Sequence, residues 1–169
     1  MTPRNRGRWQ RMDPIYQFEI RVTDHVLDGN GHVNNVAYVQ WMQDAAIRHS
    51  DAAGCTALTT GVGATWVVRT HQVEYLRPAL AGDDILVLTW VADFRKVRSL
   101  RKYRFIRKGQ GTVLAQAETD WVFLDVKTGK AQAIPESIRQ AFQVLPSDPP
   151  LVSFGTPFVK TPSSSGNPG

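Results

Sequence analysis

Between Val36 and Ala53 the chain places Val36, Ala37, Tyr38, Val39, Trp41, Met42, Ala45, Ala46 and Ile47 so that they cover most of the circumference of a helix, with charge only at Asp44, Arg48 and Asp51. A helix apolar on most of its faces cannot rest on a surface, and something has to wrap it. The rest of the chain supplies strands for that purpose. Ile15 to Val22 alternates Tyr16, Phe18, Ile20 and Val22 with polar residues, and strand-like runs follow at Thr65–Leu76, Ile85–Phe94, Leu100–Lys108 and Val113–Val126. Short turn signals separate the later runs: Pro78 to Asp83, Lys108-Gly-Gln-Gly111 and Lys127-Thr-Gly-Lys130. Neighbouring strands joined in this way form a mostly antiparallel sheet. A short helix is expected to start with Pro135 at its first position and run to Phe142. The order is strand, long buried helix, four strands, short helix, an α+β domain with no internal repeat. Asn34 or Asn35 suits the N-cap of the long helix and Gly54 its C-terminal stop.

Charge is concentrated in two places. The chain carries 20 Lys and Arg against 15 Asp and Glu, a net +5, and Arg4, Arg6, Arg8 and Arg11 supply four of the five surplus charges. Residues 1–12 thus read as a basic tail, 13–145 as the domain, and 146–169, rich in Pro, Ser and Gly, as a second tail. Within the domain, Arg95, Lys96, Arg98, Arg101, Lys102, Arg104, Arg107 and Lys108 form a run with no acid among them. Such a run suits a solvated strand face, a phosphate-binding rim or a nucleic-acid patch. Cys55 is the single cysteine, which excludes an intrachain disulfide and a cysteine-based metal centre and fits a reducing, cytoplasmic setting. No apolar run is long enough for a membrane span, and no secretory signal is expected at the N-terminus. His25, His49 and His71 lack metal-ligand spacing, and Gly61-Val-Gly63 is too short for a nucleotide fingerprint.

Chemistry is concentrated in Asp28-Gly-Asn-Gly-His-Val-Asn-Asn35, which puts a carboxylate, an imidazole and three carboxamides directly before the helix. Free backbone N–H groups and the dipole at a helix N-terminus favour negative charge, so an oxyanion developing on a carbonyl is stabilised there. A carboxylate on the adjoining loop can attack that carbonyl or activate a water against it. The chemistry favoured is acyl transfer to water. A plainer reading stands beside it: Asp28 as an Asx-turn residue, Asn34 and Asn35 as helix caps, and His32 as a hydrogen-bonded bridge from the loop to a strand.

Asp28-Gly-Asn-Gly-His-Val-Asn-Asn-Val-Ala-Tyr-Val-Gln-Trp41 resembles the signature of the hotdog-fold thioesterases, in particular the 4-hydroxybenzoyl-CoA thioesterase-like group. The likeness continues through Tyr75-Leu-Arg-Pro-Ala-Leu-Ala-Gly-Asp83, Ala115 to Leu124 and Ile134-Pro135-Glu136. The resemblance implies a hotdog fold, a five-stranded antiparallel sheet wrapped around one central helix. It also implies a thioester hydrolase. Asp28 then matches the catalytic carboxylate, as nucleophile through a mixed anhydride or as general base, and Asn35 matches the position whose backbone N–H polarises the thioester carbonyl. The Asp28, Asn30, His32 spacing is similar to that of plant acyl-carrier-protein thioesterases, in which the carboxamide and the imidazole join the catalytic set. Asn34 and Tyr38 are implied at the substrate, and Arg98, with Lys96 and Arg101 behind it, at the phosphates of coenzyme A. Two positions depart from the pattern: Val26 stands where many relatives carry an acid, and Pro78-Ala79 where the plant enzymes carry Glu-Cys. The resemblance further implies an acyl-CoA or acyl-carrier-protein substrate, no cofactor beyond the coenzyme A of that substrate, no nucleic acid, and a homodimer associating further into a homotetramer. A hydratase or dehydratase on the same fold, an acyl-CoA sensor without turnover and a basic nucleic-acid-binding β protein are the competing readings.

Overall fold

The computed structural model describes residues 13–150. Strand β1 (Tyr16–Arg21) leads through a 3-10 turn (Asp24–Val26) to the long helix α1 (Asn35–Ala52) and a second helix α2 (Cys55–Gly61). Strands β2 (Ala64–Tyr75), β3 (Asp84–Val91), β4 (Arg98–Arg107) and β5 (Thr112–Asp125) follow, and α3 (Glu136–Arg139) closes the order. All pairings are antiparallel, and the spatial order is β1-β3-β4-β5-β2. This is the hotdog arrangement, a sheet curled around one long helix.

Helix α1 buries Tyr38, Trp41, Met42, Ala45, Ala46 and His49, which recur at the three- and four-residue spacing of one helical face. They pack on the inner sheet face, where Ile85, Val87, Tyr103, Phe105, Leu114 and Ala115 are buried. The expectation that α1 is wrapped on most faces holds for this face only. Val36 is 72% exposed and Ile47 55%, because a single sheet reaches one side of the helix.

Two local expectations are corrected. The Thr/Gly-rich connection after Gly54 contains α2, whose Cys55 and Thr59 are buried. Thr and Gly are poor helix formers, so burial against the fold decides the helix rather than propensity. Gly54, at φ +73, ends α1 and serves as the N-cap of α2. Pro135 is the N-cap of α3 rather than its first helical residue, and α3 ends at Arg139.

Most of the basic run is paired with acids rather than free, although Arg95, Lys96 and Lys108 stay exposed. Arg95 and Arg98 both pair with Asp120 of β5, Lys102 and Arg104 with Asp148, Arg107 with Asp83, and Lys108 with Glu19. Residues 145–150 run against the outer sheet face. The Leu145 N–H donates to the Val91 carbonyl at 2.9 Å, and Arg104 donates to the Pro149 carbonyl at 2.8 Å over the buried Leu88, Trp90 and Ile106. The basic tail expected over 1–12 and the remainder of the C-terminal tail, 151–169, lie outside the described residues.

Burial opposes the charge on Asp120, but hydrogen bonds from Arg98 and Arg95 outweigh it and hold the carboxyl below the ordinary carboxylate range. A depressed folded value stabilises the fold above the unfolded value of about 4 and loses that contribution as pH falls through the folded one. The urea midpoint of wild type is therefore expected to exceed that of Asp120→Asn at pH 7. The gap should narrow only below about pH 4; a gap that closes at pH 6 would assign the effect to another group.

Candidate active site

Asp28 opens a tight loop whose ends are joined by an antiparallel bridge between Leu27 and Val33. The Asp28 N–H donates to the His32 carbonyl at 2.7 Å, and the Gly31 N–H donates to the Asp28 carbonyl at 3.0 Å. Gly31 holds φ +74, a conformation that a residue with a Cβ adopts only under strain. The Asp28 side chain completes the loop: Oδ1 accepts from the N–H of Asn30 at 2.8 Å and of His32 at 3.2 Å. Asp28 is thus an Asx-turn residue, as the plainer reading has it. The same contacts fix its orientation and use one oxygen, and the residue is exposed.

The loop is seated by main-chain bonds. The Val33 N–H donates to the Ala79 carbonyl at 2.9 Å, His32 bridges to Leu80, and the Asn34 N–H donates to the Val26 carbonyl at 2.7 Å. His32 therefore reaches the β2–β3 connection through its backbone, which leaves its exposed side chain uncommitted among the described contacts.

Asn34 is the N-cap of α1; its Oδ1 accepts from the Val36 N–H at 2.9 Å, worth about 1 kcal/mol to the helix. Asn35 is the first helical residue. Among the described residues no acceptor meets its N–H, which remains one of the unsatisfied donors at a positive helix end. The Tyr75 hydroxyl donates to the Asn35 carbonyl at 3.0 Å and ties this corner to the end of β2.

One turn further, Tyr38 is buried among Trp41, Tyr75 and Phe105, with ring centroids at 5.1, 5.3 and 5.1 Å in edge-on arrangements. Burial, reinforced by Tyr75, pushes its phenol up to about 12, so Tyr38 stays neutral and acts by packing rather than as a base.

The fold thus gathers Asp28, Asn30, His32, Asn34, Asn35 and Tyr38 at one end of the sheet. Arg98 is elsewhere. It begins β4 whereas this corner lies toward Arg107, about 30 Å away along the strand. Asp24, four residues before Asp28 and the nearest acid to it in the sequence, lies in the exposed 3-10 turn. His49 and His71 are structural: His49 Nδ1 meets Arg101 at 2.8 Å, and His71 Nδ1 meets Thr119 Oγ1 at 2.8 Å. No cluster of metal-ligating side chains occurs among the described residues.

A second feature escaped the sequence reading. A cavity of about 340 Å³ lies between the C-terminal half of α1, α2, the start of β2 and the inner sheet face. Trp66, Phe94, Trp121 and Phe142 line it, and so does Arg101. The period-2 alternation of β4 was the available signal, because it sets Arg101 on the same face as Tyr103 and Phe105.

An exposed, oriented carboxylate beside an open helix N-terminus is suited to acyl chemistry, and comparison with known proteins places the chain accordingly. Residues 9–142 match the model of the thioesterase-like superfamily. The chain belongs to this superfamily. It is 31% identical over 135 residues to a chloroplastic palmitoyl-acyl carrier protein thioesterase of Gossypium hirsutum, covering 73% of this chain and 32% of that protein. The chain therefore spans about a third of the plant thioesterases it matches. To the long-chain acyl-CoA thioesterase FadM of Escherichia coli (strain K12) it is 24% identical over 127 residues, covering 75% of this chain and 96% of that protein. Among solved structures, the probable thioesterase YbaW from Escherichia coli superposes with a TM-score of 0.70 at 25% identity, covering 74% of this chain and 94% of that one. No helix among the described residues is long and apolar enough to cross a membrane.

Proposed function

We propose that this superfamily member hydrolyses an acyl thioester of coenzyme A or acyl carrier protein to the free acid and the thiol. The observation that carries the reading is the pairing of an exposed Asp28 carboxylate, oriented by two backbone N–H groups, with the uncommitted Asn35 N–H at the start of α1. The thioester carbonyl docks at that N–H, where the helix end stabilises the oxyanion. Asp28 then attacks the carbonyl, expelling the thiolate and forming a mixed anhydride that water opens, or it removes a proton from a water that attacks directly. Asn30 and His32 stand on the same loop, within reach of the water or the leaving sulfur, and Asn34 and Tyr38 shape the corner. No metal or redox group enters either route. Coenzyme A arrives and leaves as part of the substrate.

The active unit is a homodimer joined along β2. Among the described residues this twelve-residue edge strand pairs on one side only, and an unpaired edge of that length calls for a partner. Exposed apolar residues accompany it: Val67 and Tyr75 on the edge and Val36 and Ile47 on α1. Antiparallel pairing of two β2 edges about a two-fold axis sets the Tyr75–Asn35 corner of one copy beside the Ala64–Trp66 end of the other. The Arg98 end of β4 comes with it, since Arg98 is in register with Val122 and Trp66 with Phe123. Arg95 and Arg98 are balanced by Asp120 and by Asp93, which stands 3.4 Å from Arg95, so a coenzyme A phosphate reaches them only in competition with these carboxylates. Further association into a homotetramer and a cytoplasmic location complete the reading.

The test is thiol release from a panel of short, medium, long and aromatic acyl-CoAs. Turnover of any member supports the reading. Binding of acyl-CoA without thiol release would replace it by the sensor reading, and addition of water to an enoyl-CoA by the hydratase reading.

A further inference from the structure

Within the basic run of β4, Arg101 is set apart. Arg95, Arg98, Lys102, Arg104, Arg107 and Lys108 find carboxylates on other parts of the fold, whereas Arg101 points to the inner face and is 6% exposed. Its Nη1 donates to His49 Nδ1 at 2.8 Å and to Thr89 Oγ1 at 3.1 Å, and its guanidinium carbon stands 5.5 Å from the Phe142 ring centre. Both hydrogen-bond partners are neutral. Burial, together with the Arg101 charge, pushes the imidazole of His49 down to about 3, so at neutral pH its Nδ1 accepts and carries no charge. No carboxylate among the described residues pairs with the guanidinium, and its Nε and Nη2 hydrogens meet no acceptor there.

A buried charge without a counter-ion is costly, and protein interiors avoid it unless something supplies the opposite charge. The guanidinium lines the 340 Å³ cavity described above, whose walls are otherwise largely apolar and aromatic. The one acid on that lining, Asp51, is exposed and engaged with the Thr56 hydroxyl at 2.5 Å. The cavity therefore has an apolar barrel, a rim that meets solvent, and a cation in its wall. An apolar chain ending in an anion matches it.

We propose that this cavity is an acyl-binding pocket for a short acyl group bearing a carboxylate at its far end, with Arg101 as the counter-ion. This deepens the thioesterase reading and rests on it for the thioester. A fork of two N–H donors on a guanidinium suits a carboxylate, and Trp66, Phe94 and Phe142 give the chain an apolar wall. The placement agrees with a dimer joined along β2, because Ala64, Thr65 and Trp66 line the cavity. That is the end of β2 to which the second copy brings its Tyr75–Asn35 corner, so a short chain spans from that carbonyl site to Arg101.

The experiment compares adipoyl-CoA with hexanoyl-CoA, equal in carbon count and different only in the terminal group, on wild type, Arg101→Lys and Arg101→Leu. In wild type, kcat/KM for adipoyl-CoA is expected to exceed that for hexanoyl-CoA by about tenfold or more. Arg101→Lys keeps the preference in weakened form and Arg101→Leu inverts it; the readout is the ratio of the two kcat/KM values within each variant, so that a general loss of activity cancels. Equal or better turnover of hexanoyl-CoA by wild type overturns the inference and leaves the thioesterase reading standing. Should no thioester be cleaved, that reading fails, and the cavity is judged by thermal unfolding with free adipate and hexanoate. A rise in Tm with adipate alone, absent in Arg101→Lys or Arg101→Leu, supports the site, and no rise in wild type overturns it. Should Arg101→Leu fail to fold, the wild-type preference and the lysine variant decide the matter by themselves.

Discussion

Asp28→Asn and Asp28→Ala are each expected to lower kcat/KM for the best acyl-CoA by roughly 100-fold or more, a loss of about 2.7 kcal/mol in transition-state stabilisation. The two variants separate catalysis from architecture. Asparagine keeps an oxygen where Oδ1 accepts from the Asn30 and His32 N–H groups, so the loop and its Gly31 turn persist while the negative charge is lost. Alanine removes both acceptor bonds as well, at about 1 kcal/mol each if their donors return to water. If Asp28 is the nucleophile or base, the two variants lose activity alike, and only alanine lowers Tm noticeably. An active Asp28→Asn paired with an unstable Asp28→Ala would reduce Asp28 to its Asx-turn role. The catalytic assignment would then fall even though the fold and the family stand. Because Asp28 is exposed and the loop is anchored through Val33, Ala79 and Leu80, neither substitution should unfold the domain.

The features legible in the sequence are those that depend on local period. The alternation in β1 to β5 and the apolar stripe of α1 required only that each segment place its side chains on one face. The element order follows from them. Asn34 as N-cap and Gly54 as terminator were readable for the same reason, since each satisfies a helix end through its own backbone or side chain. What stayed hidden depends on partners far away in the chain. The resemblance put Arg98 at the coenzyme A phosphates, and no local pattern showed that Asp120, 22 residues on, is brought beside it by the β4–β5 register. The basic run looked solvated because Asp148, Asp83 and Glu19 lie on other elements. Arg101 passed as one more member of that run, although the alternation that makes Tyr103 and Phe105 core residues puts it inside as well. Helix α2 was invisible for a related reason: its Thr and Gly content argues against a helix, and burial of Cys55 and Thr59 under the fold argues for one.

Phe105→Ala is expected to destabilise the domain by about 3–5 kcal/mol. Phe105 is fully buried in the middle of the inner sheet face, with Val87 and Ala115 beside it on the neighbouring strands. It supports the first two turns of α1 through Tyr38, edge-on at 5.1 Å, and Trp41 at 6.2 Å. Removing the ring opens a void under the helix that neither Ala115 nor Val87 is large enough to fill, so the lost transfer energy and the cavity term add. Phe105→Leu keeps most of the volume and should cost clearly less, which a series of urea midpoints at unchanged m would read directly. The substitution also reaches the chemistry. The Asn35 N–H is held in place by the Tyr38 stack from below and by the Tyr75 hydroxyl on the Asn35 carbonyl. With the floor gone, the helix start gains freedom just where the carbonyl must dock. Thiol release should then fall by more than the folded fraction accounts for, when measured where Phe105→Ala remains folded. A variant that loses stability yet keeps wild-type kcat/KM per folded molecule would show that the helix start is positioned by the Asn34 cap and the loop bonds alone.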